Sequence, residues 1–103
     1  MRVTPTLTGI TKNELPLLFN LSQNYPNPFN PTTNISFVIP KMDKVTLIVY
    51  DELGRLVETL IDGELQAGKH SVDWNASLLP SGTYFYRLTT QDYTETKKMI
   101  LIK

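Results

Sequence analysis

Few residues of this 103-residue chain have types and spacings suited to chemistry. The single histidine, His70, could act as a general base, but no carboxylate stands at a spacing that would orient its ring. His70 alternates with Val72 and Trp74, so it is expected at the rim of a sheet. No serine lies in the strand–turn–helix elbow that exposes a nucleophile, and the five are Ser22, Ser36, Ser71, Ser77 and Ser81. The sequence therefore predicts no enzyme.

Metal, phosphate and nucleic-acid sites find equally little support. Asp51 and Glu52 could join backbone carbonyls to hold a weak calcium ion, but the acidic residues lack calcium-loop spacing and a solvated turn is favoured. The glycines are isolated, so no phosphate-binding loop is expected. There is no cysteine, and ten basic residues balance ten acidic ones, which removes the electrostatic drive for nucleic-acid binding. We expect no cofactor and no nucleic-acid partner.

Aromatic side chains offer a second kind of site, a sugar-stacking platform, which Trp74, Tyr84, Phe85, Tyr86, Tyr93 and Tyr50 could build. Side chains alternate along a strand, so Tyr84 and Tyr86 share one face and Phe85 takes the other, as a sandwich core requires. Core packing is therefore the favoured interpretation for Trp74 and for the inward tyrosines.

A proline-rich stretch over residues 24–33 has the most distinctive local chemistry. Three prolines fix the backbone φ angle and remove amide donors, so the stretch can belong neither to a helix nor to a central strand. Its asparagines can bond their own backbone in Asx-turns, which predicts a rigid bend. Tyr25 and Phe29 are both expected to anchor this bend against the core.

The rest of the chain predicts short strands separated by turns. An edge strand is expected near residues 19–23, followed by strands at 34–39, 45–50, 55–61, 70–74, 83–89 and 94–102. A helix competes at 55–61, but the brevity of the run and the Asp62-Gly63 pair expected to end it favour a strand. Gly54 and Gly82 suit tight turns. The pattern indicates an all-β, immunoglobulin-like antiparallel β-sandwich of about seven short strands without a disulfide.

The final run, residues 97–103, has apolar side chains on both faces. Such a strand must be covered on both sides or form an edge that another protein can contact, and its flanking lysines discourage aggregation. A chain ending in this strand would offer its last residues for recognition.

Several motifs stand in a fixed order from residue 21 to residue 103. They are LSQNYPNPFNPTTNISF at 21–37, VTLIVYDELGRLV at 45–57, LQAGKHSVDW at 65–74, LPSGTYFYRL at 79–88 and TKKMILIK at 96–103. In these motifs the chain resembles the C-terminal sorting domain, type A, of cargo proteins of the type IX (Por) secretion system. The QNYPNPFNPTT block is the most specific of them.

The resemblance implies a non-catalytic targeting domain over residues 21–103, with residues 1–20 as a linker from a preceding cargo domain. It implies a secreted or cell-surface protein exported through the periplasm. The implied partners are the outer-membrane type IX translocon and a sortase-like surface peptidase that cleaves within residues 1–20. The implied sorting-signal residues are Pro26, Asn27, Pro28, Phe29, Asn30, Pro31, Gly54, Arg55, Lys97, Lys98, Met99, Ile100, Leu101, Ile102 and Lys103.

Two functions of other classes remain open at this point. The VYDELGRLV and AGKHSVDW segments are also similar to the immunoglobulin-like module of the flagellar hook-capping protein, which would make the chain a structural assembly module. An accessory carbohydrate-binding module of a secreted enzyme is the other alternative, and a solvent-exposed Trp74 would be its first sign. Unpaired sheet edges could also give a weak homodimer of the isolated domain.

Overall fold

The computed structural model describes residues 18–103, which form seven strands and no helix. No segment within this range could therefore cross a membrane as a helix. The strands are β1 (Asn20–Leu21), β2 (Thr32–Ile39), β3 (Asp43–Asp51), β4 (Leu56–Leu65), β5 (Gly68–Asn75), β6 (Gly82–Thr89) and β7 (Thr94–Leu101).

The strands form two antiparallel sheets that face each other. One sheet has three strands in the order β1-β2-β5, and the other has four in the order β4-β3-β6-β7. The predicted all-β, immunoglobulin-like sandwich is confirmed, and it has β4 paired with β3 in the four-stranded sheet. Residues 66–67 consequently connect the two sheets.

Alternation of side chains places the core between the sheets. In β2 the residues Ile35, Phe37 and Ile39 are at most 1% exposed, while the residues that alternate with them, Asn34, Ser36 and Val38, are half-buried. Strand β3 contributes Val45, Leu47 and Val49 to the core in the same way. Each fully buried aliphatic or aromatic side chain contributes about 1.5–3 kcal/mol. These contacts hold the sheets in the register on which the turns at the ends of the sandwich depend.

Two element boundaries differ from those that the sequence predicts. Strand β4 confirms the choice of strand over helix, but its expected end at Asp62-Gly63 is wrong, because the ladder continues to Leu65 with Gly63 opposite Val45. Strand β1 comprises only Asn20–Leu21, shorter than the predicted 19–23. Most of the linker predicted over residues 1–20 lies outside the described residues.

Candidate recognition site

The proline segment, defined here as residues 26–31, docks on the outer edge of β7. The Phe29 amide donates to the Ile100 carbonyl oxygen (2.9 Å), and the Phe29 carbonyl oxygen accepts from the Ile102 amide (2.9 Å). The Asn27 side-chain Oδ1 accepts from the Ile100 amide (3.0 Å). Just upstream, the Gln23 amide group donates to the Lys98 carbonyl oxygen (2.8 Å). The end of the β7 edge is thus already paired within the chain.

The Phe29 side chain anchors the proline segment in the core, as predicted. It is 1% exposed, and its ring centroid lies 5.9 Å from that of Trp74. The same expectation for Tyr25 is wrong, because Tyr25 is 81% exposed. Neighbouring residues of an extended chain point to opposite sides, and here the side chain of Asn24 takes the inward position.

Buried polar bonds fix the conformation of the chain before the proline segment. The Asn24 side chain donates to Thr33 Oγ1 (3.0 Å) and to the Pro26 carbonyl oxygen (3.2 Å). The Tyr86 hydroxyl accepts from the Asn24 amide (2.8 Å) and donates to the Ser22 carbonyl oxygen (2.7 Å). Sequence reasoning missed this cluster. The signal was a tyrosine predicted to face the core, because a buried phenol needs a hydrogen-bond partner.

The domain is expected to lose stability in alkali because of the phenols of Tyr86 and Tyr93. Burial raises the pKa of Tyr86 to about 12, and burial together with the Glu95 carboxylate raises the pKa of Tyr93 to about 12. The folded state favours the neutral form of both phenols. Their contribution to the free energy of unfolding is therefore complete below about pH 10 and is lost as the pH rises towards 12. The free energy of unfolding, measured with urea between pH 9 and 12, should show this decline. In Tyr86→Phe it should fall less steeply with pH. An equal slope in that variant would contradict the assignment.

The Gly54-Arg55 turn between β3 and β4 is organised by Asp51. Its carboxylate accepts from the amides of Leu53 and Arg55 (2.9 Å each) and from Arg55 Nε (2.7 Å). These bonds, led by the one from the Arg55 amide, lower the pKa of Asp51. Gly54 adopts a φ of +83°, a conformation that glycine tolerates best.

The predicted interpretation of Asp51 and Glu52 as a turn therefore fits the geometry better than the calcium alternative. The Asp51 carboxylate is committed to bonds within its own turn. Within residues 18–103 there is no group of three or more acidic or histidine side chains that could hold a metal ion.

Strand register brings the proline segment, the Gly54-Arg55 turn and the end of β7 to one end of the sandwich. Strand β3 reaches Asp51 opposite Tyr84 of β6, and the start of β6 lies opposite the end of β7, with Gly82 facing Leu101. The proline segment is bonded to that same end of β7. An open groove of about 540 Å³ separates the Gly54-Arg55 turn from residues 79–82.

The predicted signal residues differ in their accessibility. Phe29, Met99 and Leu101 are buried in the core. Lys97 Nζ lies 3.3 Å from the Glu95 carboxylate, and Lys103 Nζ donates to the Ser77 carbonyl oxygen (2.7 Å). Pro31 and Ile100 are half-buried. The remainder are exposed, namely Pro26, Asn27, Pro28, Asn30, Gly54, Arg55, Lys98, Ile102 and Lys103.

The residues considered for other chemistry have structural roles. His70 is half-buried with its ring near that of Phe37, and its Nε2 lies 2.7 Å from the Gln66 carbonyl oxygen. Trp74 is 2% exposed and donates from Nε1 to a Glu58 carboxylate oxygen (2.9 Å). The core prediction for Trp74 is confirmed, and its burial removes the expected sign of a carbohydrate platform.

Comparison with known proteins identifies the family. Residues 23–103 match the family described as the secretion system C-terminal sorting domain, which covers well over half of the chain. The chain belongs to this family. The resemblance to type IX secretion sorting domains is thereby confirmed, and the chain contains the sorting domain of a secreted or cell-surface protein.

A second, partial similarity involves the basal-body rod modification protein FlgD. This chain is 38% identical over 55 residues to the FlgD proteins of Salmonella typhimurium (strain LT2) and Salmonella typhi. The match covers 48% of this chain and 24% of each relative, so the chain spans about a quarter of their length. It does not favour a structural assembly module over the sorting function, because the sorting family matches far more of the chain.

Proposed function

We propose that this sorting domain directs a preceding cargo protein from the periplasm through the outer membrane by way of the type IX translocon, without catalytic activity of its own. The observation that supports the proposal is the convergence of the proline segment, the Gly54-Arg55 turn and the end of β7 at one end of the sandwich. Segments far apart in the sequence thus form a single surface that one partner can contact.

The residues at this end have two different roles in the proposal. Buried Phe29, Met99 and Leu101 hold the surface together, whereas exposed Arg55 and Lys98 are available for contact with the translocon. A sortase-like peptidase at the cell surface then cleaves before the domain, within residues 1–20, and releases the cargo from its signal.

A partner cannot recognise the end of β7 by adding a strand to its edge, because that edge is already occupied. The outward-facing backbone groups at Ile100 and Ile102 are already bonded to the proline segment. A partner therefore contacts the assembled surface rather than a bare strand end. Deleting residues 97–103 would also remove two core side chains, Met99 and Leu101, and so cannot separate loss of the signal from loss of the fold.

An exposed substitution gives the sharper test. Arg55→Ala removes a guanidinium that is 73% exposed but keeps the two backbone amides that donate to Asp51, and an ion pair with an exposed partner contributes little to stability. In a periplasmic fluorescent reporter fused to residues 1–103 and expressed in a host with type IX secretion, we expect Arg55→Ala to lower surface delivery by about tenfold, the effect of losing about 1.4 kcal/mol of binding free energy. Thermal unfolding of the 103-residue chain should change little.

The matched control is Lys41→Ala at the opposite end of the sandwich. Lys41 is also exposed and paired, with its Nζ 3.1 Å from the Asp92 carboxylate. Delivery of this variant should equal that of the unchanged fusion. Equal delivery of the Arg55→Ala and unchanged fusions would remove the Gly54-Arg55 turn from the recognition site.

A further inference from the structure

The outer face of the four-stranded sheet is divided into a polar half and an apolar half. Away from the recognition site, Lys44 lies opposite Glu64, and Thr46 lies opposite Asp62 and Thr89. This is the polar composition usual for the solvent side of an antiparallel sheet. The half nearer the recognition site carries mainly apolar side chains.

The apolar half contains a row of apolar side chains across β4, β3 and β6. Leu56 of β4 lies opposite Tyr50 of β3, which lies opposite Phe85 of β6. Ile48 and Ile100 lie on either side of this row. We call the surface formed by Ile48, Tyr50, Leu56, Phe85 and Ile100 the outer apolar surface. Leu56 is 60% exposed, and the other four side chains are half-buried. A contiguous apolar patch on a sheet face that no other layer of residues 18–103 covers is typical of an interaction surface.

Two cations border the outer apolar surface. The Arg87 guanidinium lies 5.0 Å above the Tyr50 ring, and its Nε donates to Thr96 Oγ1 (3.2 Å). Lys98 lies opposite Phe85 and is exposed. Among the described residues, neither cation has a carboxylate within 4 Å, whereas Lys44 in the polar half lies 3.9 Å from Asp62. The border is therefore electrostatically complementary to an acidic partner.

The outer apolar surface is continuous with the recognition site. Leu56 directly follows Arg55 of the turn, and Ile100 is bonded through its backbone to the proline segment. A partner that reaches from the Gly54-Arg55 turn to the end of β7 across the outer face passes over Leu56 and Ile100, and Tyr50 and Phe85 lie between these two residues.

We propose that the outer apolar surface docks an apolar segment of the translocon that carries carboxylate side chains. This inference rests on the proposed function and adds to it contacts on the outer face of the four-stranded sheet, beyond the predicted signal residues, together with the chemistry of its occupant. The apolar side chains of the partner cover Tyr50 and Phe85, and its carboxylates pair with Arg87 and Lys98. Aromatic and arginine side chains at the centre of such a contact contribute most to binding.

Secretion of the reporter fused to residues 1–103 tests the proposal. Phe85→Thr keeps a strand-forming residue but removes the ring, and Arg87→Glu reverses the charge. Each should lower surface delivery by about tenfold or more. The matched control is Lys44→Glu, the same kind of charge reversal on the same face but in the polar half, and its delivery should be unchanged. Thermal unfolding of the 103-residue chain identifies any variant that fails to fold. If Phe85→Thr fails to fold, the test rests on Arg87→Glu, whose side chain is exposed.

Several outcomes would overturn the inference. If the unchanged fusion is secreted and the folded variants are secreted equally well, the outer apolar surface is not used, although the sorting function stands. If the unchanged fusion stays in the periplasm, the sorting function itself fails. If sedimentation shows a dimer that Phe85→Thr dissociates without affecting secretion, the surface binds a second copy. Binding to phosphatidylglycerol vesicles that Arg87→Glu abolishes, again with normal secretion, would assign the surface to lipid.

Discussion

Replacing Phe29 with alanine is expected to lower the free energy of unfolding by about 3–5 kcal/mol, the usual range for removing a buried phenyl ring. The ring is 1% exposed and packs against Trp74, and its backbone bonds hold the proline segment on β7. A loss of this size is a large part of the stability of a small domain. Urea unfolding can be followed by the fluorescence of Trp74, the only tryptophan.

The control for this prediction lies in the same stretch. Tyr25 is an aromatic residue four positions earlier, but its side chain is 81% exposed. Tyr25→Ala should change the free energy of unfolding by no more than about 0.5 kcal/mol. Similar losses in the two variants would show that Phe29 is not the anchor of the proline segment.

Replacing Tyr86 with phenylalanine is expected to destabilise the domain by about 2–4 kcal/mol, although it removes a single oxygen atom. The change leaves the buried Asn24 amide without its acceptor and the Ser22 carbonyl oxygen without its donor. Each unpaired buried group costs about 1–3 kcal/mol. Urea unfolding at neutral pH measures the loss.

Tyr84→Phe is the matched control for the Tyr86 variant. Tyr84 lies two residues earlier on the same face of β6, and its hydroxyl makes one bond, to the Pro80 carbonyl oxygen (2.7 Å). We expect a loss of about 1 kcal/mol, the value of one typical hydrogen bond. Equal losses for the two tyrosines would contradict the role of Tyr86 in joining the chain before the proline segment to the four-stranded sheet.

Most strands could be predicted because their side chains alternate strictly. Ile35, Phe37 and Ile39 on β2 show the period of two that places one face in a core. The end of β4 could not be predicted in this way. Glycine and aspartate are generally poor strand residues, but Gly63 pairs with Val45 because β3 offers β4 an unbroken ladder from Asp43 to Leu47.

The candidate site could be predicted only in part, because motifs give positions in the chain and not contacts. Nothing in the local sequence distinguishes Tyr25 from Phe29, since an irregular proline-rich stretch has no periodicity that selects the buried ring. Likewise, the hydrogen bond between Asn24 and Tyr86 joins residues 62 positions apart. The row of Tyr50 and Phe85 on the outer face depends on the pairing of β3 with β6, which the strand patterns leave open.

The most direct test of the account is delivery of the unchanged reporter fused to residues 1–103, compared between a type IX secretion host and the same host without its translocon. We expect reporter on the cell surface or in the medium of the first host, and reporter confined to the periplasm of the second. Reporter that stays in the periplasm of both hosts, despite a folded domain, would contradict the proposal that this sorting domain directs its cargo across the outer membrane.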